Sequence, residues 1–298
     1  MNVGVPQVLL AAVLFGTTGT AQALGPDATT PLGVGAARLA LGGLALLVFL
    51  PLLGGSPRAA VGLWRSPTGL AAGLCTALYQ TCFFAGVDRV GVALGTLITI
   101  GSGPVLAGLL AAGLLGERPS RSWAAATGLC VLGLGLLTLS GGDGATADPL
   151  GVGLALTSGL AYAAYTVLAK QLMTTGHASS EVMAAAFGLG GLLLLPLLAT
   201  QPVGWLATGP GIGLALYLGL VTTTIAYVLF GQALAVLPAG PVTTLVLAEP
   251  LVATVLGVTV LGERLSPMGM AGAGVVLAGL LLQGVLASRP VRVPPVPV

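Results

Sequence analysis

One segment of this chain is written twice. PVLAGLLAAGLLGERPS begins at Pro104 and PLVATVLGVTVLGERLS begins at Pro250. A shift of 146 residues superposes the two copies without a gap. Pro104 falls on Pro250, Leu115-Gly116-Glu117-Arg118 on Leu261-Gly262-Glu263-Arg264, and Ser120 on Ser266. Further on, Gly128 falls on Gly274 and Gly133 on Gly279. Each copy is an apolar run, a short charged turn and a second apolar run. Self-similarity of this length, in two halves of one chain, is the mark of a duplicated membrane fold.

Composition decides the solvent. Of 298 residues, 56% are hydrophobic and 6% charged, with a mean hydropathy of +1.05; soluble domains carry about 25% charged residues. A soluble core this apolar needs a charged coat, and the sequence supplies none. The 48 glycines suit helices that approach closely in lipid. The chain therefore reads as an all-α, polytopic membrane protein. Its net charge of +2 carries no basic patch, which argues against a nucleic-acid partner. Cys75, Cys82 and Cys130 all lie in apolar runs without metal-site spacing and read as small packing residues. The opening MNVGVPQ has no basic n-region, so no cleaved signal peptide is expected.

A bilayer span needs roughly 20 apolar residues. Cutting at charge, Pro and Gly clusters predicts ten spans: Val5–Leu24, Pro31–Leu53, Thr68–Val87, Val90–Leu115, Ser122–Ser140, Leu150–Leu172, Val182–Thr200, Gly209–Leu237, Gly240–Leu261 and Pro267–Ala287. No soluble domain fits between them. The expected organisation is a first repeat over 5–140, a second over 150–287, and a disordered, Pro-rich cytoplasmic tail over 288–298.

Charge sidedness tests this count. With the N-terminus inside, Arg58, Arg65, Arg118, Arg121, Lys170, Arg289 and Arg292 fall on the cytoplasmic side, Arg89 and Arg264 fall outside, and Arg38 lies within a span. Asp27, Asp88, Asp143, Asp148 and Glu263 fall outside. The positive-inside rule thus favours ten spans with both termini in the cytoplasm. Five spans per half is an odd number, so the halves insert in opposite senses. Inverted repeats of this kind build secondary transporters, with the substrate site near mid-membrane between the halves.

These residues resemble the EamA-like permeases of the drug/metabolite transporter superfamily. The resemblance rests on Pro104 with Leu115–Arg118, on Pro250 with Leu261–Arg264, and on the pair Glu249-Pro250. It extends to Leu14-Phe15-Gly16-Thr17, where many members carry Trp at the position of Phe15, and to Ala36-Ala37-Arg38-Leu39. It covers about Val5 to Ala287. The resemblance implies a ten-helix permease, typically an exporter of amino acids or other small metabolites, and names no single substrate.

Glu249 is the sharpest candidate site residue. A carboxylate inside an apolar span costs a few kcal/mol or more and must face a cavity or a partner. Pro250 beside it cannot donate to the Val246 carbonyl, which is left free for a ligand, water or a side chain. Glu249 reads either as a substrate-amine contact or proton-coupling group, or as half of a structural ion pair. Its counterpart in the first half is Gly103, so the site is asymmetric. Arg38, about two turns into the second span, can take a substrate carboxylate, pair with Glu249, or snorkel to the outer surface. Together the two charges suit a zwitterion. Gln80, Gln232, Tyr79, Tyr162, Tyr165 and Tyr227 are candidate pocket walls, with helix packing as the alternative for each. Gln22, Phe83, Thr17, Thr18 and Thr20 belong to the same wider set, and Pro104 and Pro250 are candidate hinges. Trp64, Trp123 and Trp205, near span ends, read as interface anchors. His177 reads as a solvated loop residue.

Lys170 follows Ala169 rather than Gly, so no P-loop is present and ATP is not an expected partner. A single histidine in a turn argues against zinc or triad chemistry. No cofactor or metal is expected, and the chain does not read as an enzyme. The function that fits is a secondary transporter of the cell (inner) membrane. It would move a small organic metabolite by alternating access, driven either by proton antiport through Glu249 or by facilitated diffusion. Export follows from the resemblance alone. The alternative from another class is a non-transporting membrane scaffold or sensor.

Overall fold

The computed structural model of the chain describes residues 3–27, 29–139, 148–262, 264 and 266–287. Asp143, Glu263, Arg289, Arg292 and the 288–298 tail lie outside them. The described residues form helices and no strand. Ten helices are long and apolar enough to cross a membrane: Gly4–Ala23, Pro31–Leu53, Pro67–Val90, Leu94–Leu115, Arg121–Thr138, Pro149–Thr174, Ser179–Ala199, Gly209–Val236, Ala239–Val260 and Pro267–Ala287, here called spans 1 to 10.

The local sequence explains where spans begin and end. Pro31, Pro67, Pro149 and Pro267 are first helical residues, where the missing N–H costs nothing. A hydroxyl or carboxylate precedes each of them. Thr30 accepts from Gly33 N at 3.1 Å, Ser66 from Gly69 N at 3.0 Å, Asp148 from Leu150 N at 3.2 Å and Ser266 from Gly269 N at 3.1 Å. The repeated turn uses the same devices twice. Gly116 and Gly262 have φ of 67° and 73°, a left-handed conformation that ends spans 4 and 9 and that favours glycine. Ser120, the counterpart of Ser266, accepts from Trp123 N at 3.0 Å.

Two features differ from the sequence expectation. A short helix, Pro57–Gly62, follows span 2, where the sequence suggested only a connecting loop. Span 8 contains a π-helical stretch over Tyr217–Ile225. Its three consecutive threonines satisfy the widened turns. Thr222 and Thr223 donate to the Leu218 carbonyl at 3.0 and 2.8 Å, and Thr224 donates to Gly219 O at 2.9 Å and Gly42 O of span 2 at 3.1 Å.

Spans pack in pairs that exchange under a shift of five. Span 3 lies on span 6 as span 8 lies on span 1; span 4 on span 6 as span 9 on span 1; span 3 on span 7 as span 8 on span 2. Spans 2 and 7, 4 and 9, and 5 and 10 pair directly. Between spans 5 and 10 the contact repeats residue by residue. A Cβ on Gly133 would stand 2.5 Å from Val276 N and 2.8 Å from Gly272 O. One on Gly279 would stand 2.9 Å from Cys130 N and 3.0 Å from Ala126 O. The 146-residue shift turns each of these contacts into the other, and the two segments run antiparallel.

The tryptophans also make contacts within the protein. Trp205 is 3% exposed. Trp64 donates to Ala185 O at 2.9 Å, and Trp123, seated against Gly108 and Gly240, donates to Thr244 Oγ1 at 3.2 Å.

One end of the molecule is pinned by two charged side chains, of which Glu117 crosses between the halves. Lys170 Nζ, near the end of span 6, donates to the carbonyls of Leu234, Ala235 and Leu237 at 2.7, 3.2 and 3.0 Å, capping span 8. Glu117, in the turn after span 4, accepts from Ala239 N at 3.0 Å and so caps span 9. Burial pushes the Glu117 carboxyl up from its ordinary value, and the Ala239 amide and the Lys170 ammonium pull it back. At the other end Arg89 meets Asp148 at 3.0 Å, joining span 3 to span 6, and this hydrogen bond holds the Asp148 carboxyl below its usual range. Lys170→Met strips three carbonyls of their donor and is expected to cost about 2 kcal/mol. Glu117→Gln keeps an acceptor oxygen and is expected to cost about 0.5 kcal/mol. Thermal unfolding of the two variants in detergent checks that order.

Candidate functional site

Span 9 is interrupted at one residue. Its first piece is Ala239–Val246, its second is Ala248–Val260, and Leu247 stands between them with ψ near −1°. Pro250, third in the second piece, has no N–H to give to Val246. Glu249 therefore sits in the first turn of a half-helix, whose positive end favours a carboxylate. Gly16 of span 1 allows the close approach: a Cβ there would lie 2.8 Å from Glu249 O. Span 4 repeats the device without the break. Pro104 lies inside Val92–Leu115 and cannot donate to Ile100.

A small cavity of about 30 Å³ opens at this level. Its walls are Phe15 and Thr18 of span 1, Arg38 of span 2, Tyr79 of span 3, Thr99 and Ile100 of span 4, Tyr162 of span 6, Tyr227 of span 8, and Val246 and Glu249 of span 9. Both halves thus contribute. The 146-residue shift maps Gly16 onto Tyr162 and Gly103 onto Glu249. Gly16 packs on Glu249, and Tyr162 packs on Gly103, where a Cβ would stand 2.9 Å from the ring. One contact made twice is therefore furnished differently: the backbone carbonyl of Glu249 on one side and the ring of Tyr162 on the other.

Arg38 and Glu249 face the same cavity but form no ion pair; among the described residues the one ion pair is Arg89 with Asp148. Arg38 Nη2 donates to Gln80 Oε1 at 3.4 Å, and Gln80 Nε2 donates to Gly35 O at 3.4 Å. Gly35 makes room for Gln80 and the Phe84 ring, so Gln80 is held where it steers the guanidinium. Arg38 Nε and Tyr162 Oη are buried without a hydrogen-bond partner. An aromatic chain backs the cavity. Ring centroids of Phe15–Tyr227, Tyr227–Phe187, Phe187–Tyr165, Tyr165–Tyr162 and Tyr162–Tyr79 are 4.8, 3.8, 5.7, 5.5 and 5.6 Å apart.

Of the residues expected at a site, Glu249, Arg38, Tyr79, Tyr162 and Tyr227 come together on the cavity wall. Gln80 stands behind Arg38 and Tyr165 behind Tyr162 and Tyr79. Gln232 does not line the cavity: it accepts from Gln7 Nε2 at 2.8 Å, joining span 8 to span 1 nearer their ends. Pro104 and Pro250 lie one turn past wall residues. Phe15, Thr99 and Ile100 were not expected as wall residues. Ile100 carried a signal, since it precedes Pro104 by four positions as Val246 precedes Pro250.

Residues 2–139 and 149–284 each match the EamA-like transporter family. The chain belongs to that family. This EamA-like transporter is 42% identical over 265 residues to "Uncharacterized transporter YwfM" of Bacillus subtilis (strain 168), covering 89% of this chain and 88% of the relative. It is 29% identical over 272 residues to "Probable terminal-alkyne amino-acid exporter" of Streptantibioticus cattleyicolor, again covering 89% and 88%. A crystal structure at 19% identity superposes with a TM-score of 0.79 over 95% of this chain and 97% of the other, which supports the fold alone. This EamA-like transporter is accordingly a multi-pass membrane protein that moves a small molecule.

Proposed function

We propose that the chain is a secondary transporter that exports amino-acid zwitterions across the cell membrane by alternating access, with both termini in the cytoplasm. The observation that carries this reading is the placing of one guanidinium and one carboxylate, not paired with each other, on the wall of one aromatic cavity between the halves. An unpaired acid and base in a membrane interior are costly. A zwitterion answers both at once, its carboxylate on Arg38 and its ammonium on Glu249, and leaves the cavity neutral. The exporter name of the second relative points to the same class. The exchanged contacts of spans 5 and 10, and of Gly16 with Glu249 against Tyr162 with Gly103, support two inverted repeats of five spans. Such halves can swap conformations and so open the cavity to either side in turn.

Counterflow in proteoliposomes tests the reading, with L-propargylglycine (an amino acid ending in an alkyne), a panel of other labelled amino acids, and their methyl esters. Arg38→Gln removes a charge-assisted contact and is expected to raise the half-saturation concentration for the amino acids about tenfold or more. The same variant is expected to leave competition by the esters, which lack the carboxylate, within about threefold of wild type. An Arg38→Gln protein with unchanged amino-acid affinity would refute the zwitterion assignment.

A further inference from the structure

We infer that the backbone carbonyls of Ile100 and Val246 accept hydrogen bonds from the substrate's ammonium group, and that they make this transporter selective for a primary amine. The inference rests on the amino-acid reading above and deepens it.

In an α-helix the carbonyl of residue i takes the N–H of residue i+4. Proline at i+4 has no N–H. This happens twice in the chain at one register: Pro104 withholds a donor from Ile100, and Pro250 withholds one from Val246. Both deprived residues lie on the wall of the same cavity. Spans 4 and 9 pack directly on each other, which brings the two sites together. Glu249, the neighbour of Pro250, lines that cavity as well. A carbonyl without a donor in a water-poor interior is unfavourable, and such backbone is tolerated in membranes where it faces a cavity. The break at Leu247 widens the interruption on the span 9 side.

The acceptor set then has a definite chemistry. It comprises two neutral carbonyls and one carboxylate, and a primary ammonium offers three N–H donors. Each N-methyl group removes one donor while the charge stays. A competing arrangement is present on the same walls, because Phe15, Tyr79, Tyr162 and Tyr227 form an aromatic surround of the kind that favours a methylated cation. The two arrangements predict opposite orders along a methylation series.

The experiment is competition of counterflow by L-propargylglycine, its N-methyl derivative and its N,N,N-trimethyl derivative, using the full chain in proteoliposomes. Carbonyl recognition predicts that affinity falls at least about tenfold by the trimethyl compound, because a site built around donors rejects analogues that lack them. Pro104→Ala and Pro250→Ala return an amide to each carbonyl. Each is expected to weaken the primary amine about tenfold and to shrink the methylation penalty to within about threefold. Trimethyl binding as tight as the primary amine overturns the inference and leaves the zwitterion reading intact. Proline variants that weaken all three compounds equally also overturn it, since the prolines then act only as hinges. Absence of saturable counterflow by any amino acid in the wild type removes the amino-acid reading and this inference with it. A proline variant that is not recovered folded leaves the wild-type methylation order, which decides by itself.

Discussion

Glu249→Gln abolishes saturable counterflow while leaving the protein at least as stable as wild type: that is the expected result, and both halves follow from where the carboxylate stands. Glu249 lines the cavity with Arg38 and makes no ion pair with it. A glutamine of nearly the same shape removes the negative charge that answers a substrate ammonium and leaves the guanidinium alone beside the bound zwitterion. Breaking one side of a desolvated charge arrangement costs about 3 kcal/mol or more, which is roughly 100-fold in binding. The apo protein, by contrast, loses a charge that makes no ion pair on the cavity wall, so its thermal midpoint should hold or rise. Glu249→Asp keeps the charge on a shorter stem and should fall between. Counterflow and thermal unfolding measured on the same preparations decide the matter. If Glu249→Gln unfolds early and transports with wild-type affinity, Glu249 is structural. If it retains counterflow but loses dependence on pH, the carboxylate serves proton coupling rather than substrate binding.

How much of this was legible in the sequence depended on whether a residue acts through its side chain or its backbone. Glu249 and Arg38 stood out because a charge in an apolar span needs a reason, and the structure puts both on one cavity wall. Gly116 and Gly262 were visible as a repeated turn, and their left-handed φ supplies the reason glycine recurs there. Gln232 stands apart because polarity within span 8 says nothing of depth or facing; five residues past the aromatic Tyr227 it meets Gln7 instead of the cavity. Ile100 is hard to read for the opposite reason: an isoleucine in an apolar run is silent, and only the proline four residues later marks its carbonyl. The π-helical stretch was hidden as well, since three threonines in a row read as ordinary polar packing until their hydroxyls are seen returning to the Leu218 and Gly219 carbonyls. Trp205 is buried by the fold where its position near a span end suggested an interface.

The second large effect falls on stability and separates two pairs of glycines that the sequence alone treats alike. Gly128 and Gly274 are counterparts under the repeat, and so are Gly133 and Gly279. In the structure the first pair faces open space, with nothing within 4 Å of a Cβ placed on either. The second pair lies where spans 5 and 10 touch backbone to backbone: a Cβ on Gly133 would press on Val276 N at 2.5 Å, and one on Gly279 on Cys130 N at 2.9 Å and Ala126 O at 3.0 Å. Backbone cannot swing aside as a side chain can, so the helices must part and lose the close contact that holds them in a solvent as apolar as themselves. Gly133→Val and Gly279→Val are each expected to cost about 3 kcal/mol, the upper range for overpacking. Gly128→Val and Gly274→Val are expected to stay within about 0.5 kcal/mol of wild type, because a lipid-facing valine meets no neighbour and trades glycine's flexibility for a β-branched residue. The measurement is denaturant or thermal unfolding of the four variants in one detergent. Because the two tight contacts are one contact made twice, their costs should also match each other. A large difference between Gly133→Val and Gly279→Val, with the outer pair neutral, would mean that spans 5 and 10 meet without the two-fold relation that the repeat demands. Equal costs across all four would mean that the two helices do not pack on this face at all.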